Sequence, residues 1–179
     1  MSGNYVVPIT LRAVVPTSGG TAIFLGHATG GLDKVLMICI DNSIGAAIAM
    51  HLGGVTPPRP LTHDLIERML LAFGARVERV VINDFRDNTY YARLILSEEN
   101  EVSERKVVEL DARPSDSLAL ALRMKAPMFV ARRVWDEVSD AGHLLREMEE
   151  SGGEGLIPGG MDWPGEAVEG GDDEEEEED

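Results

Sequence analysis

The apolar and polar positions mark a series of short elements. Tyr5–Val15 and Thr21–Leu25 predict two strands, joined by turn residues Thr17-Ser18-Gly19-Gly20. Lys34–Ile40 is a short apolar run, as expected of a buried strand, and the Ala-rich Ile44–Leu52 predicts a helix that stops at Gly53-Gly54. Thr62 is a natural N-cap. After it Leu65, Ile66, Met69, Leu70 and Phe73 keep a helical stripe as far as Gly74. Arg76–Asn83 and Thr89–Leu96 predict a hairpin turning at Phe85-Arg86-Asp87-Asn88. There follow a strand over Lys106–Leu110, a Leu- and Ala-rich helix over Ser115–Met124, a short strand over Pro127–Val130 and a last, strongly charged helix over Ala131–Glu150. Strands and helices interleave without a steady βαβ rhythm. This predicts an α+β fold with a mixed, largely antiparallel sheet rather than a doubly wound one.

The pattern stops at Ser151. Eight glycines and two prolines between Gly152 and Gly171 leave too little apolar surface to offset the entropy of ordering. Three parts are expected: a compact domain over 1–135, a charged helix over 136–150, and a disordered Gly-rich acidic tail over 151–179. Within the tail, Leu156-Ile157 and Met161-Asp162-Trp163 are short apolar islands in what reads as a solvated linker. The run Asp172–Asp179 reads as a solubilising end, with a basic partner as its other use.

This division changes the meaning of the charge. The 179 residues carry a formal charge of −16, and removing the twelve acidic groups of the tail leaves −4 for residues 1–150. A body without a basic block is not built for a broad nucleic-acid footprint; contact with nucleic acid needs a local basic cleft or a metal ion. The single cysteine, Cys39, excludes an internal disulfide and a multi-thiolate zinc site. No apolar run approaches the ~18 residues of a membrane span, and no signal peptide is visible. The expectation is a cytoplasmic protein with no membrane partner.

Two segments carry the candidate chemistry. In Pro57-Pro58-Arg59-Pro60-Leu61-Thr62-His63-Asp64 the prolines stiffen the entry to a helix. His63 can carry a proton near neutral pH, and Asp64 can ligate a hard cation or orient the imidazole. Helix capping and the helix dipole account equally well for Thr62 and Asp64, but leave His63 and Arg59 unexplained. In Glu109-Leu110-Asp111-Ala112-Arg113-Pro114-Ser115-Asp116, Asp111 and Asp116 can share Mg²⁺ or Mn²⁺, and Arg113 can clamp a phosphate. The structural alternative pairs Arg113 with Asp111 or Asp64 and locks two helix starts together. Both segments place Arg-Pro before a hydroxyl residue and an acid, 54 residues apart from Arg59 to Arg113, which suggests an internal duplication. Walker-type glycine loops, H-E-x-x-H and G-x-S-x-G are absent from the sequence.

The chain resembles the bifunctional nuclease family. The likeness rests on Pro58-Arg59-Pro60-Leu61-Thr62-His63-Asp64-Leu65, on Val80-Val81-Ile82-Asn83-Asp84 with Asp87-Asn88-Thr89-Tyr90-Tyr91-Ala92, and on Asp111-Ala112-Arg113-Pro114-Ser115-Asp116-Ser117-Leu118-Ala119-Leu120-Ala121. It closes with Ala126-Pro127-Met128-Phe129-Val130 and spans roughly residues 5–135. The resemblance implies an α+β domain that forms a homodimer or larger oligomer, and a divalent-metal-dependent activity on DNA and RNA. On that reading Asp64, Asp111 and Asp116 hold Mg²⁺ or Mn²⁺, His63, Asp64 and Asp116 are catalytic, Arg59 and Arg113 bind phosphate, and Thr62 and Ser115 cap their helices. One departure stands out: where the family usually has a Gly and then a Glu, this chain has Asp41 and Ile44. The alternative is a non-catalytic homo-oligomeric interaction or regulatory module that uses the same polar cluster structurally.

Overall fold

In the computed structural model residues 5–30, 34–99 and 105–150 are described; the Gly-rich acidic segment expected over 151–179 lies outside them. The chain builds β1 (Val6–Thr17), β2 (Gly20–His27), β3 (Val35–Ile40), α1 (Asn42–Leu52), α2 (Thr62–Ala72), β4 (Ala75–Arg86), β5 (Thr89–Glu99), β6 (Arg105–Ala112), α3 (Pro114–Arg123), β7 (Met128–Ala131), α4 (Arg132–Glu137) and α5 (Gly142–Glu150). The strands form one seven-stranded sheet in the order β3-β2-β1-β7-β4-β5-β6. Among the described strands only the β4–β7 pairing is parallel. The architecture is the predicted α+β one. No described helix is long and apolar enough to cross a membrane.

Outward from β7 the sheet is alike on both sides: the meander β1-β2-β3 leads into α1, and the meander β4-β5-β6 leads into α3. The unit that recurs in the topology is βββα, in which α1 holds the place of α3. This corrects the match between residues 59–65 and 113–118: Pro114 is the first residue of α3, whereas Pro60 precedes the N-cap of α2.

β2 is buried on both faces, so it is apolar almost throughout rather than alternating. Ile23, Leu25, Leu36 and Ile38 point to the face covered by α1 and α3, where they meet Ile48 and Leu118. Ala22, Phe24 and Val35 point to the other face, under Ala141 and Leu145 at α5. In the other half, Val77, Val80 and Leu94 pack against Leu120 of α3 and Ile66 and Leu70 of α2. The second face of that half is bordered among the described helices by the start of α4. It forms a groove of about 810 Å³ lined by Val81, Ile95 and Phe129 and by Arg79, Arg93, Arg132 and Arg133.

Three local expectations are corrected. The single helix over 131–150 is two. Asp140 accepts hydrogen bonds from the N–H of Val35 (2.9 Å) and of Gly142 (2.8 Å), and the Ala141 N–H donates to Val35 O (2.8 Å). The break lets Val134 and Val138 pack with the first-face core while Ala141 and Leu145 pack on the second, which one straight helix cannot do. The stripe of α2 also divides: Ile66 and Leu70 pack inward, while Leu65, Met69 and Phe73 are 54%, 51% and 74% exposed. Finally, Phe85 and Arg86 belong to β4. The turn is Asp87-Asn88 alone, both residues left-handed (φ 50° and 58°), as a two-residue hairpin of right-handed twist requires.

Candidate functional site

The starts of α1, α2 and α3 converge. Asp41 is the N-cap of α1, Leu61 of α2 and Arg113 of α3, all extended, and none makes a side-chain capping bond. Thr62, expected to cap, is instead the first residue of α2 and is exposed. Ser115 is likewise inside α3, at its second position, and is buried. Proline at the first position of α3 sets the backbone for the helix and removes an N–H that would have had no partner. Asp64 and Asp116 both fall on the third helical residue, where the helix dipole favours an acid.

From these positions the side chains form a chain of hydrogen bonds and ion pairs. His63 Nε2 donates to Asp116 Oδ1 at 3.1 Å. Arg113 Nε donates to the other oxygen of Asp116 at 2.9 Å and its Nη1 to Asp41 Oδ2 at 3.3 Å. Beside this row, Asp64 accepts from the Leu61 N–H (2.8 Å) and from Arg123 Nε (2.9 Å), and Arg123 Nη2 reaches Ala47 O in α1 at 3.3 Å. His63 and Arg123 are buried; Arg113 is 64% exposed. Burial pushes the Asp64 carboxyl up, but the Leu61 N–H and the Arg123 guanidinium outweigh it and hold the group below its ordinary value. Asp116 bonding raises the Arg113 pKa further.

Of the residues singled out from the sequence, His63, Asp64, Arg113 and Asp116 come together. Asp111 does not: it is exposed on β6, 3.5 Å from Arg93. Arg59 is exposed on the entry to α2, outside the network. The three carboxylates expected to share a cation are each engaged by an arginine, and no group of three or more His, Cys, Asp or Glu among the described residues is placed to hold a metal. As they stand, these residues do not fit a shared Mg²⁺ or Mn²⁺. At Ile44, where the family usually has Glu, the side chain is part of the apolar core.

Sequence reasoning missed Arg123, the cation that ties α3 to α2 and α1. Its signal was its position, seven residues after Asp116 and so on the same helix face two turns on. Next to the network lies a cleft of about 570 Å³ whose walls include Cys39, Asp41, Tyr90, Arg113 and Ser115. His63, Asp64 and Asp116 are not among the residues that line it. Tyr91 lies under the guanidinium of Arg86, 4.6 Å from its ring centre.

Residues 23–141 match the model of the bifunctional nuclease domain. An uncharacterised protein of Mycobacterium tuberculosis is 42% identical over 123 residues, which cover 69% of this chain and 67% of that protein. Bifunctional nuclease 1 of Oryza sativa subsp. japonica is 30% identical over 104 residues, 58% of this chain but only 31% of the rice protein. Bifunctional nuclease 2 of the same rice is 25% identical over 118 residues. The chain thus belongs to the bifunctional nuclease domain family.

Proposed function

We propose that this domain works as a self-associating interaction module and that the network at the helix starts is a brace rather than a reaction centre. The observation that carries this reading is His63. Its ring is only 6% exposed, its Nε2 is engaged by Asp116, and Asp116 is engaged again by Arg113. A general base must come within hydrogen-bond reach of the proton it removes, and His63 does not line the neighbouring cleft. A brace needs what is present: each acid meets a cation, and three helices are tied at their ends. The association surface is the outward stripe of Leu65 and Met69 in α2 and Phe73 at its C-cap, spaced four apart along one helix face. A second copy offers the same stripe, so the patch can meet itself about a two-fold axis.

A second reading, cleavage of DNA and RNA phosphodiesters, is favoured by one observation: the exposed Arg113 guanidinium shares a cleft with Tyr90. There Arg113 would bind phosphate, with Arg59 as a second cation and the His63–Asp116 pair as the nearest acid and base. The three carboxylates, each held by an arginine, do not fit a shared metal ion.

The test is release of fragments from labelled single-stranded DNA and RNA by the purified protein, with Mg²⁺, Mn²⁺ or EDTA. A His63→Ala/Asp116→Ala variant and the milder Arg113→Gln are purified in parallel. The brace reading expects equal background cutting by all three proteins in every buffer. Cutting that both variants lose, while circular dichroism shows them folded, would overturn it in favour of the nuclease.

A further inference from the structure

The sheet face beside α5 leaves a groove that this chain's own acidic segment fits. We propose that residues 154–166 fold back into the groove over β7, β4 and β5, with their apolar side chains on its floor and their carboxylates among its arginines.

The groove has two chemistries. Its floor is apolar, from Val81, Ile95 and Phe129, with Tyr5 and Val6 at one end. Its walls bring Arg79, Arg93, Arg132 and Arg133 together against one acid, Glu109, on a body whose formal charge is −4. These arginines have partners already: Glu78 at 3.6 Å, Glu109 and Asp111 at 3.5 Å, Asp136 at 2.9 Å and Asp84 at 3.1 Å. The pairs of Arg93 and Arg132 join exposed side chains, which contribute little and exchange readily, so they do not forbid a better-matched acid, whereas Glu78 and Asp84 are only 24% and 18% exposed and stay with Arg79 and Arg133.

The segment mirrors that lining. Glu154, Asp162 and Glu166 alternate with Leu156, Ile157, Met161 and Trp163, and there is no Lys or Arg from 151 to 179. Four large apolar side chains are too few for a core of their own. They are enough for an existing apolar floor, and Trp163 beside Arg guanidinium planes also has a cation–π contact open to it.

Reach is sufficient. α5 ends at Glu150 on the same sheet face as the groove, so the chain need not cross a sheet edge. From β2, under α5, to β4 is three strand spacings, about 14 Å. The six residues from 151 to 156 span up to about 20 Å when extended. The run Asp172–Asp179 is left to the solvent.

The test uses the full chain labelled with 5-fluorotryptophan. It has two tryptophans, Trp135 and Trp163, and Trp163→Phe assigns the two fluorine resonances. The expected result is a Trp163 resonance shifted from the free position and protected from solvent at low protein concentration. Arg132→Glu/Arg133→Glu should return it to the free position. So should Ile157→Ser/Met161→Ser, which lies outside the folded domain and leaves its stability unchanged. A Trp163 resonance at the free position in the unaltered chain, or one unmoved by both variants, would overturn the proposal. Protection that is lost on dilution would also overturn it, since it would place the segment on a second molecule.

Discussion

Asp64 serves two partners at once: it takes up the Leu61 N–H at the start of α2 and neutralises Arg123, whose guanidinium is buried. Removing one member of a buried pair strands the other, so Asp64→Ala is expected to destabilise the domain by about 3–5 kcal/mol in chemical denaturation. The sign with pH follows from the lowered pKa. The carboxylate's stabilisation is complete above its unfolded value near 3.8 and is lost as the pH falls through the lower folded value. The gap in Tm between the two proteins should therefore be steady at neutral pH and close below about pH 4. A gap unchanged at lower pH would show that Asp64 acts through shape and not charge. At this scale the network was half legible. Residue types at two helix starts marked His63, Asp64, Arg113 and Asp116, because an acid in a first helical turn has few uses. The same reasoning gathered Asp111, which a strand directs towards Arg93, and passed over Arg123, which a pattern of Leu and Ala made look like an ordinary helix end.

Between elements, α1 lies close on β2 at Gly45. A Cβ on Gly45 would stand 2.5 Å from Thr21 Cβ and also collide with Thr21 Oγ1, and Thr21 is itself buried and bonded to Asn42. Gly45→Ala gains about 1 kcal/mol of helix propensity but meets an overpacking cost of about 1–3 kcal/mol. Urea denaturation should show a net loss; a gain would mean that α1 can lift off the strand at no cost. The order of strands and helices was legible because burial periodicity is local. The break at Val138–Ala141 was not, because it depends on Asp140 reaching the backbone of β3, 105 residues away. The outward half of the α2 stripe was not legible either, since periodicity records which side chains are apolar and not which of them a partner covers.

For the molecule as a whole, the exposed stripe along α2 bears on association. If it joins two copies, light scattering of the eluting protein gives a mass above one chain, and Met69→Asp/Phe73→Asp gives one chain with little change in Tm, as exposed substitutions do. A wild-type protein of single-chain mass at every concentration would remove the self-association reading and leave the brace. The recurrence of the βββα topology was not legible in the two Arg-Pro segments, because helices in equivalent places can share position without sharing residues: α1 begins at an acid, α3 at an arginine, and the two pair. The strand that unites these units is β7, four residues long, whose Val130 and Ala131 pair with Val7 and Val6 at the far end of the chain. On the ribosome both meanders are therefore complete before their common neighbour has been translated. Until residue 131 emerges, β1 and β4 each present an open edge to whatever nascent chain lies nearby. The last short strand thus sets the interval during which the newborn protein most needs a chaperone.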